Sequence, residues 1–522
     1  MNNRNDSLKK AKDTTWDVAI IGGGATGLGI AVDSATRGLK TILIDQSDFA
    51  KGTSSRSTKL VHGGVRYLQQ GDVALVREAL HERGRMKRNA PHLVRDMRFI
   101  IGQYRWWERA FYTIGLTMYD LLAGRLGLGR SLPLSKKTVL KEIPALAREN
   151  LRGGVVYHDG QFDDSRMAIT LALTAIDNGA TCLNYVKAES LVKNQDGKIT
   201  GVIARDVLTD KDSFEINAKV VINATGVFVD DIMLMDAPEA SKKVRPSQGV
   251  HLVVDAQFLG GDSALMIPKT FDGRVLFGVP WHGKTILGTT DTPLDEETLE
   301  PRALESEVDF ILKQAGVYLS KKPTRKDVLC VFAGLRPLAA PTKSGSTKTK
   351  EISRSHKIYH SKSGLVTITG GKWTTYRSMA EDVLNQALKK ANISAKPCST
   401  ANMKLHGYKE NVDRSDWNYV YGTDAEKISA ISAHDKSACE KIHPKYNFTK
   451  AQVIFAVRNE LAQTVEDVLA RRVRLMFLDA RSAKESAPVV AEIIANELGK
   501  DEQWKENQIK EFCELADGYI LK

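Results

Sequence analysis

Cysteine is scarce in this 522-residue chain: Cys182, Cys330, Cys398, Cys439 and Cys513 are all there is. Their number is odd, they lie far apart, and no C-x-x-C pair occurs. A disulfide framework and a thiolate zinc site are thereby excluded, no metal site is expected, and a reducing compartment fits. Long apolar runs are missing as well. No stretch approaches the ~18 apolar residues that span a bilayer, so no transmembrane helix is expected. The first 16 residues are polar and charged, without the apolar segment of a secretory signal. There is no internal repeat, no low-complexity tract, no tight run of five or more Lys and Arg, and no recognisable nucleic-acid module. Nucleic acid is therefore not expected as a partner.

What is present is the composition of a folded protein, 42% hydrophobic and 26% charged, which excludes a disordered or collagenous chain. At about 150 residues per domain, the length provides for two or three domains. Lys plus Arg number 75 against 63 Asp plus Glu, a net charge of +12. Such an excess points to an anionic partner, either a membrane surface or a phosphorylated substrate once nucleic acid is set aside; charge for solubility is the alternative.

The chain opens on a β-turn-α-β unit. Residues 16–21 (WDVAII) are an apolar run of the kind that forms a buried parallel strand, 25–37 have helical composition, and 39–45 (LKTILID) make a second strand. Residues 47–64, rich in Ser, Thr and Gly, are expected as an ordered loop, and 72–89 as a helix with Val73, Val76, Leu80 and Met86 on one side. A helix at 164–178 and a strand at 180–186 follow. Strands at 198–206 and 213–216 flank a turn, and a buried strand at 219–223 runs into Ala224-Thr225-Gly226. Short alternating segments from 244 to 290, with turns at Asp272-Gly273 and His282-Gly283, predict an antiparallel sheet. Residues 328–332, 351–354, 357–360 and 364–369 add strands, and 375–390 a helix. Residues 397–407 have the composition of a linker, and 408–522 that of a separate helical domain.

Gly22-Gly23-Gly24-Ala25-Thr26-Gly27 is G-x-G-x-x-G, the Rossmann-type dinucleotide fingerprint. It follows a strand and opens a helix, and Asp45 ends the next strand 21 residues after Gly24. Gly22 permits the tight turn, Gly24 lets the backbone approach a pyrophosphate, and Gly27 lets helix and strand pack closely. The helix N-terminus, Ala25 and Thr26 included, turns free N–H groups toward the phosphates, and Asp45 accepts hydrogen bonds from a ribose diol. The fingerprint itself leaves NAD and FAD open. Its unrepeated position at the N-terminus, and the later strand ending in Ala224-Thr225-Gly226, fit FAD.

Residues 53–68 (TSSRSTKLVHGGVRYL) resemble the flavin-domain signature of the FAD-dependent glycerol-3-phosphate dehydrogenases. Gly334-Leu335-Arg336-Pro337-Leu338, residues 369–377 (TGGKWTTYR) and Asp291 in GTTD are similar to later motifs of that family. The resemblance runs from about residue 17 to 377, with weaker similarity at 464–472 (TVEDVLARR). It implies an α/β and α+β fold. A glutathione-reductase-like FAD domain is interleaved with an antiparallel-sheet substrate cap over 1–395, the cap mainly at about 90–160 and 240–350, and 396–522 form a C-terminal helical domain. It further implies FAD as cofactor, oxidation of sn-glycerol 3-phosphate to dihydroxyacetone phosphate, and electron transfer to membrane quinone by a cytoplasmic protein peripheral on the inner face of the cell membrane. The nearest alternative is a glycerol-3-phosphate oxidase that passes electrons to oxygen and releases hydrogen peroxide. Those oxidases carry an inserted mid-chain segment that this sequence lacks. A soluble NAD-linked dehydrogenase is disfavoured by the signature after Asp45. No D-x-[DN]-x-[DN]-G loop occurs, so the calcium control of some relatives is not expected. Arg56 stands where the family has small residues and is expected to alter the local contact with the FAD phosphates.

By the same resemblance Thr53, Ser54, Ser55, Lys59, His62, Gly63 and Gly64 join the fingerprint residues, Gly226, Gly371 and Thr374 around the cofactor. His62 is expected to serve structure more than chemistry. The reaction needs a hydride acceptor, a clamp for a phosphate dianion and a base for the C2 hydroxyl proton. Arg suits the clamp through its bidentate fork, and the resemblance carries Arg66, Arg336 and Lys372 to the substrate pocket. Arg354 is a further substrate-binding candidate, and Tyr67 bonds the substrate or closes the pocket. His251, in QGVHLVV, matches a histidine beside the family's substrate site, and its ordinary pKa near 6.5 suits proton abstraction. Arg336 is then cast as the stabiliser of the developing alkoxide.

Residues 104–112 (YRWWERAFY) lead into an apolar stripe, Trp107, Phe111, Ile114, Met118 and Leu121, at helical spacing, with Arg105, Arg109, Arg125 and Arg130 at its flanks. Two readings stand. The helix lies on an anionic leaflet, where a lipid-soluble quinone would also be met, or its aromatics fill the cap's core. The C-terminal helical part carries no motif of evident chemistry and is expected to serve as a homodimer surface or as a brace for the membrane face.

Overall fold

The apolar run at Trp16–Ile21 is the centre of a sheet whose order is Lys357–His360, Val366–Thr369, Phe214–Asn223, Trp16–Ile21, Thr41–Ile44 and Thr181–Leu183, parallel except for the antiparallel edge strand Lys357–His360, in this computed structural model, which describes residues 4–65, 68, 71–209, 212–339 and 356–521. A strand buried on both faces needs continuous apolar sequence. Here helices Ala25–Thr36, Asp164–Asp177 and Tyr376–Ala391 cover one face through Leu28, Met167 and Val383, and a smaller core around Trp16, Ile42 and Val202 covers the other.

Two sequence expectations change. The strands expected at 213–216 and 219–223 are one strand, Phe214–Asn223, because neither Gly nor Pro interrupts it. Its first half pairs antiparallel with Ile199–Asp206 and its second half parallel with Trp16–Ile21. The strand expected at 180–186 instead breaks at Tyr185, which has φ 58°. Thr181–Leu183 stays in the parallel sheet, while Val186–Lys193 pairs with Ile199–Asp206. The strand expected at 351–354 lies outside the described residues.

The second sheet is the cap. Its longest strand, Val244–Asp255, pairs antiparallel with Cys330–Ala339 from Val244 opposite Ala339 to Val253 opposite Cys330. The strand expected at 328–332 is thus the start of a longer one. Arg95–Gln103, Gly153–Gln161 and the short Leu60–Val61 lie at its other end.

The residues beyond 396 are built into both sheets' cores. Leu405, Tyr421 and Phe455 pack with Leu28 and Phe162, whereas Leu469, Phe477 and Tyr519 pack with Trp281 and Phe332 of the cap. The stretch expected as a linker, 397–407, is docked: Asn89 Nδ2 donates to the Thr400 carbonyl at 2.9 Å, and His406 N–H donates to Thr174 Oγ1 at 2.9 Å.

Candidate active site

The first βα turn opens on a cavity of about 460 Å³. Gly22 has φ +111°, and a Cβ there would sit 2.7 Å from the Ala224 carbonyl oxygen. A Cβ on Gly27 would overlap the Gly22 carbonyl oxygen. Only glycine lets the turn, the helix and the 224–226 segment close up in this way. Helix Ala25–Thr36 begins at Gly24 without a side-chain cap of its own, and Ala25 N–H donates to Ser54 Oγ at 2.9 Å. The signature loop is thereby tied to the helix N-terminus.

Gly22, Gly24, Ala25, Thr26 and Asp45 line this cavity, as do Thr53 and Ser54 of the signature, Ala224, Thr225 and Gly226 beyond the long strand, and Gly371. Asp45 accepts from the Gly23 N–H at 2.6 Å and the Ser47 N–H at 2.8 Å. Burial is the largest influence on its carboxyl and, against those two donors, raises its pKa to about 6. Lys51 and Lys187 also line the wall, two cations that the sequence reading missed. A helix N-terminus suits a pyrophosphate, and a carboxylate at the next strand end suits a ribose diol, so the donor set fits FAD.

A second cavity of about 230 Å³ adjoins the first and shares Thr53, Pro337 and residues 370–373 with it. Its floor is the cap sheet. Gly249 and Gly334 stand opposite each other in register, flanked by the pairs His251–Phe332 and Ser247–Arg336. With a strand period of two, these six residues share one face. A Cβ on Gly334 would sit 2.9 Å from the Arg56 carbonyl oxygen, and one on Gly249 would strike the Arg336 guanidinium. The opposed glycines let the signature loop and Arg336 lie down on the sheet.

Among the described residues Arg336 is held by the Thr290 carbonyl at 3.1 Å, Thr289 Oγ1 at 3.2 Å, and the Gln248 carbonyl and Asp291 Oδ1 each at 3.3 Å. His251 is buried, its ring stacked on Phe332 at 4.8 Å, with Nε2 2.8 Å from Thr58 Oγ1. Nδ1 is buried without a hydrogen-bond partner among the described residues. Burial first, and then the charges of Lys59 and Arg336, hold its pKa well below 6.5, so the imidazole is neutral. Across the cavity, Lys372 follows Gly370-Gly371, and Trp373 Nε1 donates to the Ser54 carbonyl at 2.9 Å. His62 and Thr374 complete the wall, with Thr374 Oγ1 3.3 Å from both the N and the carbonyl O of His62.

Several expected site residues stand elsewhere. Lys59 is fully buried and lines neither cavity; its Nζ pairs with Asp164 and donates to the Ser55 carbonyl, each at 2.7 Å. The reason is local: Lys59 has φ 64°, which turns its side chain inward, and burial lowers its pKa to about 8. Ser55 is buried beneath the loop, and Gly27, Gly63 and Gly64 also lie behind the lining, with Gly63 N–H bonded to Tyr119 Oη at 2.8 Å. Arg56 does not turn to the larger cavity. Its guanidinium donates to the Leu299 carbonyl at 2.6 Å, Glu300 at 2.8 Å and Tyr519 Oη at 3.0 Å, which corrects the expectation of a changed phosphate contact. Arg66, Tyr67 and Arg354 lie outside the described residues. Thr58 and Trp373 were missed although both fall inside the quoted motifs. Their signal was a hydroxyl and an indole N–H next to predicted site residues.

Comparison with known proteins accords with this geometry. Residues 17–377 match the family model of FAD-dependent oxidoreductases, and 367–505 match the C-terminal domain of alpha-glycerophosphate oxidase. The mitochondrial glycerol-3-phosphate dehydrogenase of Homo sapiens is 41% identical over 535 residues, covering 95% of this chain and 72% of that protein. That of Schizosaccharomyces pombe is 38% identical over 582 residues, covering 99% and 89%. The crystal structure of a glycerol-3-phosphate dehydrogenase from Bacillus halodurans complexed with FAD superposes with a TM-score of 0.81 at 30% identity, covering 99% of this chain and 98% of that one.

Proposed function

The chain belongs to the FAD-dependent oxidoreductases and, within them, to the glycerol-3-phosphate dehydrogenases, and from that premise we propose that it oxidises sn-glycerol 3-phosphate in the smaller cavity and delivers the electrons to a membrane quinone. FAD, when bound, supplies the hydride acceptor. The observation that carries the reading is the placement of a neutral, buried His251 and an anchored Arg336 on one face of the cap sheet, where they line the smaller cavity beside the larger. His251 takes the C2 hydroxyl proton, Arg336 steadies the alkoxide oxygen, and Lys372 on the opposite wall holds the phosphate. The test is the visible spectrum of the purified protein. A flavin spectrum bleached by anaerobic sn-glycerol 3-phosphate is expected, with slow peroxide formation on readmitting air. Absent bleaching would overturn the reading, and rapid stoichiometric peroxide would assign an oxidase.

Helix Glu108–Ala123 supports the membrane part of the proposal. Leu116, Tyr119 and Ala123 bury one face against the cap, while Trp106 (82% exposed), Ile114 (64%) and Leu121 (76%), with Trp107, Phe111 and Met118, stand in solvent. The alternative, that these aromatics fill the cap's core, does not hold for them. Arg105, Arg109, Arg125 and Arg130 are exposed around the patch. None of the described helices is long and apolar enough to cross a membrane. An apolar face rimmed by arginines is suited to docking on an anionic leaflet, the inner face of the cell membrane in this proposal. Ile114→Asp with Leu121→Asp is expected to weaken binding to phosphatidylglycerol vesicles by about tenfold or more, since each charge forfeits a buried apolar contact. Activity with a soluble dye acceptor should be unchanged. Wild-type vesicle binding by the double variant, or a patch buried in a homodimer, would overturn the docking.

A further inference from the structure

The loop that lines the larger cavity with Asp45, Ala50 and residues 51–54 also holds Asp48 and Ser55, which do not line it, and charge from the C-terminal region meets the loop there. Asp48 is fully buried. Its carboxylate accepts from Arg471 Nε at 2.5 Å, from both terminal nitrogens of Arg472 at 2.6 and 3.0 Å, and from Asn184 at 3.1 Å. Arg474 donates to the Ser55 carbonyl at 3.0 Å and to Asp164 at 2.9 Å. Glu466 pairs with Lys51 at 2.8 Å. One short stretch, 466–474, thus grips the loop at residues 48, 51 and 55.

The backbone of that stretch is unusual in the way that convergence requires. Asp467–Arg472 is a π-helical turn, and Arg474 has φ 66° without being glycine. Single π turns recur at functional sites, and a non-glycine residue in the left-handed region persists only when its surroundings hold it there. Three arginines within four residues, each no more than 2% exposed, are an unfavourable choice for stability alone, because well-packed apolar side chains serve a core as well. What paired charges add is orientation: a carboxylate gripped by two guanidiniums has few places to go.

We propose that residues 466–474 are a positioning device for the cofactor loop, in which Arg471 and Arg472 fix Asp48 and Arg474 fixes the Ser55 carbonyl, so that residues 50–54 stand pre-formed against FAD. This gives the C-terminal helical region a role toward the cofactor that its sequence did not announce. None of the three arginines lines either cavity, so they act through the loop. The inference rests on FAD binding and not on the identity of the substrate. Order built in before binding is order that the ligand does not have to impose, and its loss reads as weaker affinity.

The test is FAD titration of the flavin-stripped full chain, followed by quenching of flavin fluorescence. Arg472→Met is expected to raise the FAD dissociation constant by about tenfold or more and to speed amide exchange across residues 49–55 in the apoprotein. Arg472→Lys keeps the charge but not the fork and should recover part of the affinity. The control is Arg37→Met. Arg37 is equally buried and pairs with Asp33 at 2.6 Å, but at the far end of helix Ala25–Thr36 from Gly24. It should lower the melting temperature and leave the FAD affinity and the exchange of 49–55 unchanged. Should Arg472→Met not fold, Asp48→Asn, which is isosteric, is expected to weaken FAD binding severalfold. The proposal is overturned if the folded loop-side variants bind FAD as tightly as wild type, or if Arg37→Met weakens FAD binding as much as they do.

Discussion

His251→Ala is expected to lower kcat by about 100-fold or more at saturating sn-glycerol 3-phosphate, the ordinary worth of a positioned general base. The expectation rests on geometry. The ring is buried, clamped between Phe332 and the bond to Thr58, and lines the smaller cavity. Its environment also makes an unusual pH prediction. Burial, Lys59 and Arg336 press the pKa well below 6.5, so the base form persists until the pH falls below that depressed value. Wild-type kcat should therefore be flat through pH 6.5, where an ordinary histidine would begin to protonate. A depressed pKa weakens a base, but the Arg336 guanidinium, which adds to the larger effects of burial and Lys59, also favours ionisation of a substrate hydroxyl placed beside it. What governs transfer is the difference between the two acidities. A near-normal kcat in the variant would remove His251 from this role. An acidic limb near pH 6.5 that vanishes in the variant would keep the role and refute the neutral, desolvated imidazole.

The parts of the site that are contiguous in the chain were legible in the sequence, and the parts that depend on pairing at a distance were not. The G-x-G-x-x-G turn could be read because strand, turn, helix and Asp45 fall within 30 residues, and each glycine answers a local steric demand. His251 and Arg336 were picked out individually, yet their sharing of one face follows from the register of Val244–Asp255 with Cys330–Ala339, which alternation alone does not specify. The Gly249–Gly334 pair was invisible for the same reason. Lys59 misled because its neighbours in the motif do line the cavities, whereas its own positive φ reverses its direction. Arg471 and Arg472 fall in the 464–472 segment of weaker family similarity but carried no chemical signal, since clustered basic residues near a helix end ordinarily mean a solvated surface, and only the fold brings Asp48 beneath them. The break at Tyr185 was hidden in the same way: no Gly or Pro marks it, and the side chain is drawn out by a partner 282 residues away, Asp467.

Arg336→Met and Lys372→Met, which the sequence reading grouped as one phosphate clamp, are expected to part company. Arg336→Met should lower kcat by about 10² to 10³, the worth of a pre-organised donor at a developing oxyanion, for glycerol and for sn-glycerol 3-phosphate alike. Lys372→Met should instead raise KM for sn-glycerol 3-phosphate by about 10- to 100-fold, as the loss of one charge-assisted hydrogen bond to a dianion implies, and leave activity with glycerol near its wild-type level. The division follows from what holds each side chain. Arg336 is anchored by the 289–291 segment and by Gln248, and its guanidinium lies over Gly249, two residues from His251 on the same strand face. It is tied to the place where the proton leaves. Lys372 follows a Gly-Gly turn shared by both cavities and lines the smaller one on a segment separate from the strands that carry Arg336 and His251. Arg336→Lys should not restore kcat, because a single ammonium cannot meet several fixed acceptors and a substrate oxygen together. Loss of glycerol turnover in Lys372→Met equal to its loss of glycerol 3-phosphate turnover would place both cations at the reacting carbon and remove Lys372 from the phosphate clamp.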